Sequence, residues 1–142
     1  MLIHRQSLTL NLLQARETAM RFFRPSLNDH GLTEQQWRIV RGLREHGALE
    51  IHKLSDLSCI VGPSMTGVLS RMEKAGLITR QKAQHDHRIV LVDLTETGHV
   101  CFESMSECME RNYLHLQRQL GAEKLEALLV LLSELKAVKH WI

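Results

Sequence analysis

Apolar residues recur at helical spacing along most of this chain, so the pattern predicts a mainly α-helical protein. Leu8 and Leu12 recur at helical spacing in a first helix, which we expect Pro25, followed by Asn28–Gly31, to end. Thr33, with Gln36 three residues later, has the form of a capping box and predicts the start of a second helix. The predicted helices cover residues 6–24, 33–46, 51–57, 63–74, 95–117 and 123–140.

The segment Leu77–Gly98 departs from the helical pattern and predicts a β-hairpin. Its second strand is predicted at Arg88–Leu94, where Val90, Val92 and Leu94 alternate with residues of the other face at the period of a strand. The loop at 84–87 has turn and charge chemistry and no large apolar side chain to hold it in a core. We therefore expect a short hairpin with a polar tip in water, and we call this hairpin the wing.

The two short helices before the wing, 51–57 and 63–74, are joined by a tight turn through Cys59–Gly62. Pro63 lies in the first turn of the second helix, which proline favours, and Ala75–Gly76 is a C-terminal stop. The expected buried stripe of this helix is Met65, Val68, Leu69 and Met72. Two short helices, a tight turn and a hairpin are typical of a winged helix-turn-helix. The predicted fold class is thus mainly α with a small β-hairpin wing.

A winged helix-turn-helix presents the N-terminal, exposed side of its second helix to the major groove of DNA. Hydroxyl groups there can bond to base edges or phosphates, and Arg71 can neutralise a phosphate or bind a guanine in a forked geometry. Each residue also fits an ordinary exposed helix, and it is their combination with the wing that favours DNA contact. The predicted DNA-binding residues of this helix are Pro63, Ser64, Thr66, Gly67, Ser70 and Arg71.

The net charge of +2 is too small to indicate a partner, but basic residues concentrate around this helix and the wing. Between residues 63 and 92 the only acidic residues are Glu73 and Asp86. The basic residues of the same segment are Arg71, Lys74, Arg80, Lys82 and Arg88. The distribution fits a local phosphate-binding surface.

The composition predicts one globular domain in a reducing compartment. The chain has 142 residues, of which 44% are hydrophobic, and it is too short for two domains of ordinary size. It has no apolar run of the roughly 20 residues that a membrane span needs and no secretory signal pattern, so we expect a cytoplasmic protein. Cys59, Cys101 and Cys108 form no CxxC pair; we expect small core residues, with a redox switch as the alternative.

The last predicted helix has more apolar surface than one helix face can hold. Its apolar residues are Leu125, Leu128, Leu129, Val130, Leu131, Leu132, Leu135 and Val138. A second subunit is the expected cover, with help from the first helix, and burial against the hairpin lobe is the alternative. We predict one domain, with dimerisation helices at 1–31 and 99–142 and a DNA-binding lobe at 32–98. Two lobes roughly 34 Å apart would bind a pseudo-palindromic operator.

This order of helices and wing resembles the MarR family of dimeric bacterial transcription regulators. The segments that carry the resemblance are Leu32–Thr33, Gln36–Trp37, Glu73–Ile78, Asp86–Arg88 and Leu94–Gly98. The resemblance implies that Arg88 enters a minor groove of double-stranded operator DNA and that Asp86 holds it in place, with His87 between them at the DNA. A narrow minor groove attracts an inserted guanidinium through its negative potential.

Gly67 is a departure from the family pattern, because several members carry an Arg or another long side chain near this position. We therefore expect lighter direct base readout here. Specificity would then depend on Ser64, Thr66, Arg71 and the shape of the DNA.

Many members of the family release DNA when a phenolic or aromatic carboxylic acid binds between the dimer helices and the DNA-binding lobe. The resemblance suggests that Arg16 pairs with the carboxylate, that Trp37 stacks on the ring and that His30 bonds to a phenolic hydroxyl. Each also fits a plain structural role, in the core for Trp37 and at the surface for the other two. Within the family, the chain looks most like repressors of hydroxyphenylacetate degradation, which implies a hydroxylated phenylacetate as effector.

The remaining function classes have weaker support. The chain has no Gly-rich phosphate loop, nucleophile elbow or Ser-His-Asp arrangement, so we expect neither an enzyme nor a cofactor. His85 and His87 are a possible metal pair, but no HxxxH spacing lies on one helix face, so no metal site is predicted. A peroxide sensor of this fold is expected to have a reactive Cys in its first helix, and none is there. A metal- or redox-responsive regulator of the same fold stays the alternative.

Overall fold

A computed structural model of the protein describes residues 4–140 and contains helices and a small antiparallel sheet in the predicted order. The helices are α1 (Leu8–Asp29), α2 (Glu34–His46), α3 (Ile51–Ser58), α4 (Gly62–Lys74), α5 (Glu96–Leu120) and α6 (Ala122–Lys136). The strands are β1 (Leu49–Glu50), β2 (Ile78–Lys82) and β3 (Val90–Leu94). The predicted fold class, mainly helical with a small wing, is confirmed.

The chain divides into two compact units. One unit holds the residues up to Phe23 and those from Met109 onward, and the other spans Arg24–Cys108. The second unit contains all of the predicted DNA-binding lobe, together with the end of α1 and the first half of α5. No helix within residues 4–140 is both long and apolar enough to cross a membrane.

The prediction that Pro25 ends the first helix is wrong, because Pro25 lies inside α1. Proline removes one backbone hydrogen bond and costs about 3 kcal/mol in a helix interior. Leu27 is only 1% exposed, and burial of a leucine contributes about 1.5–3 kcal/mol, which offsets much of that cost. The helix ends instead at Asp29, and a Schellman motif follows in which Gly31 has a φ of +67° and the Leu32 N–H donates to the Leu27 carbonyl.

The capping box at the start of α2 is confirmed. The Gln36 N–H donates to Thr33 Oγ1 at 3.0 Å, and the Thr33 N–H donates to Gln36 Oε1 at 3.2 Å. One face of the helix is buried through Trp37, Val40 and Leu43, as the spacing predicts. This helix forms the centre of the second unit's core.

The helix pair α3 and α4 has the predicted buried stripe on its second helix. Met65, Val68, Leu69 and Met72 are each at most 2% exposed. The turn between the helices runs through Cys59, whose φ of +53° is unusual for a residue with a side chain. Cys59 is exposed, so the prediction that it is a core residue is wrong. Cys59 lies in the turn between two helices and not on a buried helix face, which the sequence pattern does not show.

The sheet has the order β1-β3-β2 and contains one strand that the sequence did not indicate. Val92 of β3 pairs with Leu49 of β1 on one side and with Arg80 of β2 on the other. Two residues are too few for a period-2 pattern, which explains why β1 was missed. Val92 is fully buried at the centre of the three strands, so the wing is anchored through β3. That strand begins at Val90, two residues later than the pattern starting at Arg88 suggests.

The last helix, α6, leaves most of its apolar side chains exposed. Leu125 is the buried residue among those described in this helix. The exposed apolar residues are Leu128, Leu129, Val130, Leu131 and Leu135, with Val138 just beyond the helix end. The helix ends at Lys136 rather than near His140, and α5 continues to Leu120 rather than Gln117.

The first turn of α5 lies directly against the backbone that leads into β2. The Thr95 N–H donates to the Leu77 carbonyl at 3.0 Å, and the Thr95 hydroxyl donates to the Gly76 carbonyl. A Cβ on Gly98 would lie 2.3 Å from the Leu77 carbonyl oxygen and 2.8 Å from Leu94 Cδ2. Only glycine therefore allows the helix to approach this closely.

We predict that Gly98→Ala lowers the free energy of unfolding by about 3 kcal/mol, because backbone atoms must shift to admit the methyl group. Urea unfolding of the purified protein measures the change. Gly62→Ala is the matched control, since a Cβ there meets nothing within 4 Å, and it should change stability by less than about 1 kcal/mol. Equal stability of the two variants would show that the close approach at Gly98 is unimportant.

Candidate nucleic-acid interface

The exposed side of α4, which we call the recognition helix, carries the predicted DNA-binding residues. Pro63, Ser64, Thr66 and Arg71 are exposed, while Gly67 and Ser70 are half-buried. Within residues 4–140, the side chains of Ser64, Thr66, Ser70 and Arg71 make no hydrogen bond or ion pair. No side chain caps the helix at its N-cap residue Val61, so its positive dipole end faces solvent. Polar groups without internal partners are thus gathered on one surface.

The wing tip is organised by a two-pronged ion pair between Asp86 and Arg88. Arg88 Nε donates to Asp86 Oδ1 and Arg88 Nη2 donates to Oδ2, both at 3.1 Å. The Arg88 backbone N–H also donates to Asp86 Oδ1, at 3.0 Å. Because the arginine hydrogen bonds favour the charged carboxylate, they lower the pKa of Asp86 below its usual range. The side chain of Arg88 nevertheless stays 91% exposed, so the guanidinium is oriented but accessible.

The loop that carries this pair is closed by backbone bonds. The Ala83 N–H donates to the Ile89 carbonyl at 2.8 Å, and the Ile89 N–H donates to the Asp86 carbonyl at 3.0 Å. Ala83 is buried, which fixes the base of the loop, whereas His87 is exposed beside Arg88. The structure therefore brings Asp86, His87 and Arg88 together at one tip.

A second ion pair, which the sequence reasoning missed, connects α4 to the wing. Arg80 Nη2 donates to Glu73 Oε1 at 2.8 Å. The hydrogen bond lowers the pKa of Glu73 and raises the pKa of Arg80, and the two directions agree. The sequence could have indicated this pair, because Glu73 and Arg80 have opposite charges and lie on either side of the Ala75–Gly76 stop. The turn there folds β2 back toward α4. The pair holds the recognition helix and the wing in one arrangement.

A cleft of about 770 Å³ lies between α3, the start of α4 and the wing. Arg88 and Val90 border it on the wing side, and Gly62 and Met65 border it on α4. The start of α4 and the wing tip thus border the same cleft.

The predicted effector residues fall in both compact units. Arg16 belongs to the first unit, where its guanidinium lies 3.8 Å from the Glu17 carboxylate. His30 is in the second unit, with its Nδ1 2.8 Å from the Ser26 carbonyl oxygen. Trp37, also in the second unit, is buried and stacks on Phe102 at a centroid distance of 5.6 Å. Part of the Trp37 ring surface is therefore already covered by an internal aromatic partner.

The cysteines and histidines form no evident reactive or metal centre. Cys101 and Cys108 are half-buried rather than in the core, which corrects the prediction for them as for Cys59. Burial raises the pKa of the Cys101 thiol, which disfavours the reactive thiolate. Within residues 4–140, no three His, Cys, Asp or Glu side chains are grouped to hold a metal ion.

Comparison with known proteins gives consistent relatives over nearly the whole chain. The homoprotocatechuate degradative operon repressor of Escherichia coli is 45% identical over 132 residues, which cover 93% of this chain and 89% of the relative. The crystal structure of transcriptional regulator PA4135 is 59% identical with a TM-score of 0.94, and the match covers 96% of this chain and 100% of that one. The crystal structure of NadR in complex with 4-hydroxyphenylacetate is 41% identical with a TM-score of 0.85, covering 98% and 99%.

The sequence profile of the MarR family matches residues 32–90, which include α2, the recognition helix and most of the wing. The match therefore falls on the segment whose geometry suggests DNA contact. Together with the 45% identity to a repressor across 93% of the chain, it establishes that the protein belongs to the MarR family of transcription regulators.

Proposed function

We propose that the protein is a homodimeric transcriptional repressor of an aromatic-compound catabolic operon, released from its operator by a small aromatic acid. The observation that carries the proposal is the Asp86–Arg88 pair, which holds an exposed guanidinium beside the cleft that α4 also borders. The relatedness to a repressor of a catabolic operon supports the regulatory role. A protein that acts on bacterial operator DNA works in the cytoplasm, which is part of the proposal.

In this proposal α4 lies in a major groove and the wing enters the neighbouring minor groove. Ser64, Thr66, Ser70 and Arg71 have no internal partners among the described residues, so contact with DNA breaks no existing bond. Pro63 adds no long side chain at the start of the helix, and Gly67 leaves its part of this surface to neighbouring side chains. Phosphate contacts fix the position of the protein, and contacts to base edges supply the specificity.

The pairing of Arg88 with Asp86 prepares the guanidinium for the minor groove. An arginine side chain that is free in solution loses up to about 2 kcal/mol of rotamer entropy when it is ordered. Because both carboxylate oxygens already accept hydrogen bonds from Arg88, part of that ordering precedes DNA binding. The negative potential of a narrow minor groove then favours insertion of the positive charge. His87, exposed beside this pair, is positioned to contact the adjacent backbone.

The exposed apolar surface of α6 supports the dimer. Leu128 to Leu131 and Leu135 are all substantially exposed, and a contiguous apolar patch of this kind usually marks a protein interface. A two-fold dimer buries the same patch on both subunits. Its symmetry would place two recognition helices on successive major grooves of a pseudo-palindromic operator.

For the effector, we propose a phenolic or aromatic carboxylic acid such as a hydroxyphenylacetate. NadR, which is 41% identical, crystallised in complex with 4-hydroxyphenylacetate. In this chain Arg16 is proposed to bind the carboxylate in a bidentate way, Trp37 to contact the ring through the small fraction of its surface that is exposed, and His30 to bond to the hydroxyl. Ligand binding that favours a dimer with differently spaced helices would weaken DNA binding.

A metal- or redox-responsive regulator is the second candidate. The exposure of Cys59 favours it, since an accessible thiol can be oxidised. The half-buried Cys101 does not favour it, because burial raises the pKa of its thiol and disfavours the reactive thiolate. The effector experiment below separates the two candidates.

We predict that Arg88→Ala weakens binding to all DNA duplexes and lowers the slope of log affinity against log salt concentration by about one, the value for one lost ionic contact. Fluorescence anisotropy at several salt concentrations measures both quantities. Arg41→Ala is the matched control, because it removes an exposed arginine of α2 that is not among the proposed DNA- or effector-binding residues, and it should leave the slope unchanged. An unaltered slope for Arg88→Ala would rule out the wing contact.

We predict that the pKa of Asp86 lies below 3.8 in the free protein and rises toward that ordinary value in Arg88→Ala, because the stabilising hydrogen bonds are lost. NMR titration of the carboxylate carbon measures both values. A lowered folded pKa means that the pair's contribution to stability is present above about pH 4 and is lost only as pH falls through the folded value. The same pKa in both proteins would contradict the pairing.

We predict that 4-hydroxyphenylacetate raises the melting temperature and releases DNA. A ligand at 100 times its dissociation constant adds about 2.7 kcal/mol of stability. Arg16→Ala should lose the thermal shift and keep DNA binding, whereas Arg88→Ala should keep the shift and lose DNA affinity. If a chelator or peroxide abolishes DNA binding and aromatic acids change neither readout, the metal- or redox-responsive candidate is correct instead.

A further inference from the structure

Gly67 lies in the middle of the recognition helix, although glycine is the least favourable helix-interior residue after proline. Its backbone φ is not positive, so the conformation of the chain does not require glycine. The space beside it is occupied by the end of another side chain. The three atoms closest to a Cβ built on Gly67 all belong to Arg71, namely Nη1 at 3.3 Å, Nη2 at 3.8 Å and Cζ at 3.9 Å.

Arg71 therefore lies back along α4 and covers Gly67 with its guanidinium. The direction is the natural one, because helical side chains lean toward the N-terminus and residues four apart share a face. One helical turn is about 5.4 Å, so the guanidinium lies roughly that far from the Arg71 backbone, toward the N-terminal end of α4. Within residues 4–140, the Arg71 side chain has no hydrogen bond or ion pair, in contrast to Arg80 and Arg88.

We infer that Gly67 is a specificity-determining position that acts through Arg71, because the missing side chain gives the guanidinium a place over the base-reading part of α4. The inference rests on the proposed DNA-binding function. It revises the sequence-based expectation that base readout is light at residue 67, because the guanidinium of Arg71, one helical turn further on, covers that position. A guanidinium there can donate two hydrogen bonds to O6 and N7 of a guanine, the commonest specific contact in a major groove.

The test is selection of bound duplexes from a random-sequence DNA library. We expect the wild-type protein to enrich a G·C pair at one position of each half-site, and Arg71→Ala to lose that preference with a roughly tenfold or greater loss of affinity for the enriched site. Arg71→Lys should lose the preference as well but keep the salt dependence, because an ammonium group keeps the charge without the forked geometry.

Gly67→Ala tests the positioning role with a single methyl group. We expect a partial loss of the same base preference, together with an unchanged or higher melting temperature, because alanine favours the helix. In the Arg71→Ala background, adding Gly67→Ala should change the base preference no further, since its effect depends on Arg71. A stability defect cannot explain a loss of specificity in a variant that is at least as stable as the wild type.

The opposing outcomes are distinct. If the wild type enriches no sequence, the proposed function fails, and this inference with it. If the wild type enriches a site and Arg71→Ala enriches the same site with the same preferences, the function stands and the inference is wrong. The inference is also wrong if Arg71→Lys keeps the preference, or if Gly67→Ala alters it equally with and without Arg71.

Discussion

The arrangement of the DNA-binding unit depends on the contact between the first turn of α5 and the backbone at Gly76 and Leu77. There the Thr95 side chain caps its own helix through Gly98 N–H and also donates to the Gly76 carbonyl, while its N–H donates to the Leu77 carbonyl. These bonds fix where the recognition helix ends, where the wing begins and where the long helix leaves the wing. Gly98 is required because the approach leaves no space for a Cβ.

Three arginines of α4 and the wing have different electrostatic surroundings. Arg80 is held by Glu73 and connects the recognition helix to the wing, so its charge is used within the protein. Arg88 is held by Asp86 but stays exposed, so its charge is oriented and still available. Arg71 has no internal acidic partner among the described residues, and its position depends on the absence of a side chain at Gly67. A count of the basic residues between 63 and 92 does not distinguish these roles, because each role depends on whether the arginine is paired with Glu73, with Asp86 or with no acid.

The parts of the fold that the sequence predicted are those set by local patterns. The capping box of Thr33 and Gln36 and the buried stripe through Met65 and Met72 depend on spacing within one helix, and both are confirmed. The positions of Pro25 and Cys59 were mispredicted, because burial of Leu27 and the left-handed turn are properties of the folded unit.

In the candidate site, too, the local features were predicted from the sequence and those that depend on the folded unit were missed. The Asp86–Arg88 segment was identified from the sequence, because the two residues belong to one short motif. The Glu73–Arg80 pair was missed, since it forms only when β2 folds back along α4. The covering of Gly67 by Arg71 was also missed, because a pattern shows which residues share a helix face and not which way a long side chain runs along it.

The short separation between Asp86 and Arg88 has a mechanical consequence. The two partners are only two residues apart, so the pair forms within the loop and does not depend on strand pairing or on the other helices. The direction of the guanidinium is therefore set inside the loop, while the position of the loop is set separately by buried Val92 and Ala83. A substitution elsewhere in the sheet would move the tip without separating Arg88 from its carboxylate.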